Sequence, residues 1–298
     1  MKIIICQPDA DYFLWQCRVQ MQNFKDHGYL QDAIYLFSFD TIINQKSVAL
    51  VNDYGVDAFW FKDERADKSY PPGIVFHLLW KYFLTNPVIT FIGMDVDALF
   101  TRRIDLTKFN SDSVYLADPV NDYLSSKYIA SKSAGLLEEM AAIVGIDAAT
   151  IIKNDPHCGG AQYIFNEKIL VNLWSKIESD STKLHTLMVN TAHKYTPKDS
   201  YAIQAWTAGM WSLIWNLWHD EINTERSEEL SFCWPTQPID HWEKFPFFHN
   251  AGVTDKMADR LFFKGKYVTE SPFHKDHSHV DIGTCSYEYV KALEKSAI

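Results

Sequence analysis

Cysteine is scarce in this chain. Five occur among 298 residues (Cys6, Cys17, Cys158, Cys233 and Cys285), an odd number with no Cys-x-x-Cys spacing. Neither a disulfide framework nor a zinc ribbon is expected, and a reducing compartment is. No apolar stretch approaches 18 residues, so no membrane span is expected. After Met1-Lys2 the apolar run covers only residues 3–6 before Gln7-Pro8-Asp9. That is too short for a secretory signal and suits a first β-strand, so the expected location is the cytoplasm. Basic charge is also in deficit: 28 Lys and Arg stand against 38 Asp and Glu, a formal charge of −10. Nucleic acid would gain no general attraction from such a chain, and a DNA contact would need a local basic patch. There is no internal repeat, no low-complexity linker, no glycine-rich phosphate loop and no break in composition that would mark a domain boundary.

What is present is a globular composition, 47% hydrophobic and 22% charged, in a chain long enough for one large α/β domain. Aromatics reach 15%, with 10 Trp. Flat rings in excess of packing needs often line ligand grooves, where they stack on the apolar faces of sugars or bases. The first hundred residues alternate strand and helix patterns. Strands are expected at 3–6, 33–38, 57–61 and 88–92. Helices are expected at 11–27, closed by Gly28, at 41–53, ended near Gly55, and from Pro71-Pro72 up to Pro87. Strands spaced by helices imply a mostly parallel, Rossmann-like sheet with helices on both faces. Beyond Phe100 the order loosens, with strands expected at 114–117 and 161–165 and helices at 132–144, 167–177 and 202–218. The last eighty residues show little periodicity and read as an irregular C-terminal lobe.

The most informative segment runs from a buried strand into Gly93-Met94-Asp95-Val96-Asp97 and then Ala98-Leu99-Phe100. Ligands of parallel sheets sit beyond the carboxyl ends of the strands, which is where this carboxylate pair falls. Hard divalent cations such as Mg²⁺ or Mn²⁺ take one or two carboxylates together with substrate phosphates. Asp-x-Asp alone is also what an ordinary polar loop looks like. The strand before it and the apolar anchor after it make the segment resemble the metal motif of glycosyltransferases with the GT-A fold. The resemblance implies that Asp97 binds the metal while Asp95 reaches the donor ribose and the metal.

Two further segments carry the resemblance. His157-Cys158-Gly159-Gly160-Ala161-Gln162-Tyr163-Ile164-Phe165-Asn166 is similar to the donor-side strand of sugar transferases such as glycogenin and the lipopolysaccharide galactosyltransferases. It implies that Gly160 lets backbone approach a ligand and that Gln162 faces the transferred sugar, although a tight turn before a strand explains the glycines equally. His249-Asn250-Ala251-Gly252-Val253-Thr254-Asp255-Lys256 resembles the late His-x-x-Gly-x-x-Lys motif of the same group, with one extra residue before Lys256. By that resemblance His249 completes the metal shell, Gly252 lies against the donor and Lys256 touches the diphosphate, with Lys264 or Lys266 as alternatives. The overall pattern is also similar to phage and protist glycosyltransferases that act on hydroxymethylated pyrimidines in DNA. Arg102, Arg103, Lys127 and Lys132 would then supply the basic groove. Trp206 and Trp211 are candidates for an acceptor groove, whereas Trp215 and Trp218 read as core. His274, His277 and His279 read as a solvated segment rather than a metal site.

Taken together, residues 1–298 are expected to form a single GT-A-like domain. Residues 1–110 would be the nucleotide-binding half, and 111–298 the acceptor half with the C-terminal lobe. The expected activity is metal-dependent transfer of a sugar from a nucleoside-diphosphate donor, a UDP-sugar by resemblance, to a hydroxyl. The acceptor is either a 5-hydroxymethylpyrimidine base in DNA or a saccharide, glycolipid or peptide. Mn²⁺ or Mg²⁺ is the implied cofactor. If the reaction inverts the sugar, Asp155 and Asp199 are candidates for the general base; if it retains, Gln162 matters more. A noncatalytic carbohydrate-binding protein and a nucleotidyltransferase or phosphohydrolase are the rival readings.

Overall fold

The computed structural model describes residues 1–109, 112–117, 121–195 and 202–297. In chain order the first elements are β1 (Lys2–Pro8), α1 (Asp11–His27), β2 (Ala33–Phe39), α2 (Gln45–Tyr54), β3 (Asp57–Lys62) and α3 (Ile74–Phe83). Then come β4 (Phe91–Gly93), β5 (Ala98–Phe100), β6 (Ser113–Leu116), α4 (Asn121–Leu124), α5 (Ser126–Lys132), α6 (Leu136–Val144) and α7 (Ala148–Asn154). The chain continues with β7 (Tyr163–Phe165), α8 (Val171–Tyr195), α9 (Ala208–His219), β8 (Asn223–Arg226) and β9 (Phe232–Cys233). It closes with α10 (Asp240–Lys244), β10 (Phe247–His249) and α11 (Cys285–Ser296). Seven of these strands belong to one mostly parallel sheet flanked by helices, and β5, β10 and β9 form a second, smaller sheet. The fold is mixed α/β. Among the described residues no helix is long and apolar enough to cross a membrane.

The chain divides into two compact units. The first comprises Met1–Lys62, Gly93–Lys108 and Glu229–Ile298; the second comprises Asp63–Ile92 and Phe109–Glu228. In the first unit β1 pairs in parallel with β2, and β2 with β3. Every residue of β2 but the last is buried, as befits a strand covered on both faces, while β3 alternates and lies at an edge. Helix α1 ends where Gly28 adopts φ +74°, with Gly28 N–H bonded to Lys25 O and Tyr29 N–H to Phe24 O. A side chain there would be strained, so this glycine stops the helix. Helix α11 packs on α1 through a core of Trp15, Val19, Leu99, Phe248, Tyr289 and Leu293, among others. That core holds β5 and β10 from one side.

In the second unit β6 pairs antiparallel with β7 and parallel with β8. Helices α8 and α9 carry its core through Trp174, Ile177, Leu184, Trp211 and Trp215, all buried. The expected strand at 88–92 is shorter and later, Phe91–Gly93. Pro87 has no amide proton for a ladder, and the Thr90 hydroxyl is taken by Glu167 at 2.7 Å. Likewise the helix expected from 41 begins only at Gln45, because the Asn44 side chain accepts from Lys46 N–H at 3.0 Å and caps it there. The helix expected at 132–144 begins only at Leu136, after Gly135 with φ +87°, and Lys132 instead closes α5.

Candidate metal centre

Beyond Gly93 the chain makes a tight turn in which Ala98 N–H donates to Asp95 O at 3.1 Å. Such a turn brings residues two apart onto one side, so the carboxylates of Asp95 and Asp97 converge. Helix α1 holds the turn from below. Gln20, fully buried, donates to Asp95 O at 2.8 Å and to Ala98 O at 2.9 Å, and its amide oxygen accepts from Tyr35 OH at 3.0 Å. Three residues on, Asn23 exchanges two 2.9 Å hydrogen bonds with the backbone of Phe100. The turn leads into β5, whose antiparallel pairing with β10 sets His249 opposite Ala98. Asn250 N–H extends that ladder to Asp97 O at 3.0 Å.

The consequence is a cluster of three side chains, Asp95, Asp97 and His249, whose candidate ligand atoms all lie within 4.8 Å of one another. His249 Nε2 is 3.2 Å from Asp97 Oδ1 and 3.5 Å from Asp95 Oδ2. Asp97 is 5% exposed, while the Asp95 side chain is 54% exposed and faces solvent. The other oxygen of Asp97, Oδ2, is in contact with the Lys264 ammonium. The His249 ring is oriented by aromatic neighbours: it stacks on Trp234 at a centroid distance of 5.6 Å, with Phe232 edge-on at 5.4 Å.

Burial alone would raise the Asp97 carboxyl, but the charges of Lys264 and His249 outweigh it and hold the group well below the usual carboxylate range. His249 shows the reverse balance. Burial disfavours its cation, yet Asp97 and Asp95 push its pKa above the ordinary value. The same holds for Lys264, raised by Asp97 against the effect of burial. Two carboxylates and one imidazole form a donor set suited to Mn²⁺, which accepts nitrogen beside oxygen more readily than Mg²⁺ does. The residues present fit a divalent cation.

The other residues singled out from sequence are not among these three clustered side chains. Gly252 has φ +80° in the turn after β10, and Lys256 is exposed in a 3-10 turn, Asp255–Met257. Lys266 donates to Ala258 O at 3.2 Å. In the second unit Gly160 is buried and donates to Ala117 O at 3.0 Å. A Cβ at neighbouring Gly159 would sit 2.3 Å from that same carbonyl, so close approach of two backbone segments requires the glycine. Gln162 is 0% exposed, and neither atom of its amide has a hydrogen-bond partner among the described residues. Asp155 accepts from Ser126 N–H at 2.9 and 3.1 Å and from the Ser126 hydroxyl, at the start of α5. Asp199 lies outside the described residues. Trp206 is 56% exposed, but Trp211 is fully buried with its indole N–H on Leu124 O, so it is a core residue together with Trp215 and Trp218. His277, expected in solvent, is buried between Phe262 and Tyr267 with Nε2 3.0 Å from Pro272 O. Arg102 pairs with Glu229 and Arg103 lies over Tyr29 in the first unit; Lys132 lies over Tyr128 in the second.

Sequence reasoning passed over Gln20 and Asn23. A signal for them exists: Gln16, Gln20 and Asn23 fall at helical spacing on the buried stripe of α1. Polar groups placed there must find partners; the turn's carbonyls and the Phe100 backbone supply those of Gln20 and Asn23, and Tyr12 O that of Gln16.

No protein-family model matches the chain, and no curated protein does. Among solved structures it is similar to glycosyltransferases. One is the galactosyltransferase LgtC in complex with donor and acceptor sugar analogues, at 10% identity and a TM-score of 0.48, covering 99% of this chain and 96% of that one. Mouse xyloside xylosyltransferase 1 follows at 11% identity and 0.44, covering 84% and 96%. The glycosyltransferase GlyE of Streptococcus pneumoniae TIGR4 follows at 12% and 0.45, covering 99% of this chain and 60% of that one. At identities and scores of this size, function has to be read from the site itself.

Proposed function

We propose that this chain is a metal-dependent glycosyltransferase of the GT-A type that uses a nucleoside-diphosphate sugar, most simply a UDP-sugar, as donor. The observation that carries the reading is the meeting of Asp95, Asp97 and His249 at one turn beside a lysine. A divalent cation held there would act as a Lewis acid that offsets negative charge on the departing diphosphate. Asp97, buried and held ionised by its neighbours, is assigned as the main anchor; Asp95, open to solvent, is assigned to both ribose and cation. His249 gives a neutral nitrogen when deprotonated. Lys264 rather than Lys256 is the lysine assigned to the diphosphate, since its ammonium already reaches this cluster.

Gln162 offers a buried amide donor and acceptor with no hydrogen-bond partner among the described residues, and we assign it to hydroxyls of the transferred sugar. Because Asp155 is committed to Ser126, a retaining course over Gln162 is favoured above an inverting course with Asp155 as base. The acceptor is a hydroxyl. A net charge of −10 favours one that is not a polyanion, which places a saccharide ahead of a hydroxymethylated DNA base.

Calorimetry with UDP and MnCl₂, beside an assay for UDP release from UDP-sugars, tests the reading. Wild type is expected to bind UDP only with the metal and to release UDP slowly by hydrolysis. Asp97→Ala is expected to lose both while keeping its fold. Wild-type UDP affinity in the mutant would sink the metal assignment, and Mn²⁺ binding without any UDP release from a panel of UDP-sugars would favour a carbohydrate-binding protein.

A further inference from the structure

Both oxygens of Asp97 are engaged by side chains: Oδ1 faces His249 Nε2 at 3.2 Å and Oδ2 holds the Lys264 ammonium. A carboxylate as buried as this one needs a counter-charge, because an isolated buried anion is costly. Lys264 meets the need in a way that can be undone. Its side chain is 29% exposed and stands on a short 3-10 segment, Lys264–Tyr267, so its ammonium has a path to solvent. That ammonium donates to Asp97 itself. A divalent cation that takes Asp97 must compete with it for the same oxygens, and two cations so close repel.

We infer that Lys264 is an exchangeable counter-cation of Asp97, displaced when a divalent metal binds and thereby released to meet an anion carried by that metal. The inference rests on the metal reading above and deepens it. Three properties follow. Metal alone binds weakly, because it must dislodge an ammonium that is already paired. A diphosphate arriving with the metal gives the released lysine a new partner, so metal and diphosphate favour each other's binding. By thermodynamic linkage the two enhancements are equal in size. Lys264 carries part of the coupling beside the direct attraction of metal for diphosphate, and its removal should shrink it.

Calorimetric titration of MnCl₂ into the full chain, with and without saturating UDP, is the test, run on wild type, Lys264→Met and Lys264→Gln. The two neutral variants differ in polarity, so a defect of packing in one is controlled by the other, and circular dichroism checks both folds. In each variant Mn²⁺ alone is expected to bind roughly fivefold or more tightly than in wild type, while UDP improves Mn²⁺ affinity by a smaller factor than it does in wild type. Equal or weaker binding of Mn²⁺ alone in both folded variants would overturn the exchange. Absence of Mn²⁺ binding in wild type and variants alike, with or without UDP, would instead overturn the metal reading on which it rests.

Discussion

At the scale of single residues the centre is governed by the opposed protonation of His249 and Asp97. The pKa of His249 is raised above 6.5, chiefly because Asp97 outweighs the effect of burial. A raised pKa means that the charged ring stabilises the fold fully below the unfolded value, and that this contribution disappears as pH climbs through the folded value. Without added metal, the melting temperature should therefore decline as pH rises from about 6.5 through the folded pKa. Affinity for Mn²⁺ should change in the opposite direction over the same window, because the ligand is the neutral ring. His249→Gln should remove the first trend and flatten the second. A decline of equal size in His249→Gln would mean that other groups set it. Asp97 has the converse sign: its pKa lies below 3.8, so what its ion pairs contribute is present above that value and is lost as pH falls through the folded one.

At the scale of elements, the geometry depends on α1 as much as on the strands that bear the ligands. Gln20 satisfies two carbonyls of the Asp95–Ala98 turn at once. Gln20→Ala should cost about 1–3 kcal/mol of stability, the penalty of stranding buried acceptors. It should also weaken Mn²⁺ binding, although the residue touches no ligand atom. Denaturant unfolding and a metal titration of the same variant separate the two effects. Loss of stability with unchanged Mn²⁺ affinity would show that the β5–β10 pairing alone sets the turn. Much of this was legible beforehand. Helix α1 and its Gly28 stop follow from periodicity and a glycine, and the Asp95–Asp97 pair follows from a strand running into a polar turn. Helix α11 was not legible, because its segment, Cys-Ser-Tyr-Glu-Tyr-Val-Lys-Ala-Leu-Glu-Lys-Ser, lies in a stretch of Pro, His and Gly that hides a short apolar stripe. Nor was the length of α8, whose polar middle reads as a break until Asp180 is seen bonded to Lys176 and Asn216.

At the scale of the whole molecule, sequence offered no boundary, and the structure gives the reason. Each compact unit is assembled from separated segments, with Glu229–Ile298 grouped with Met1–Lys62. Composition averaged along the chain cannot reveal a division that crosses it several times. The scarce cysteines take on a further meaning here. No disulfide joins any of the five; Cys17, Cys158, Cys233 and Cys285 are buried and Cys6 is half-buried. Burial pushes the thiols of Cys6 and Cys17 upward, away from the reactive thiolate. The folded protein should thus resist a maleimide at neutral pH, whereas each local opening would expose a particular thiol. Cys158 lies in the second unit and the other four in the first. Mass spectrometry after timed alkylation in rising urea would therefore date the opening of each unit separately. Simultaneous labelling of Cys158 with the rest would mean that the units unfold as one, and earlier labelling that the second yields first.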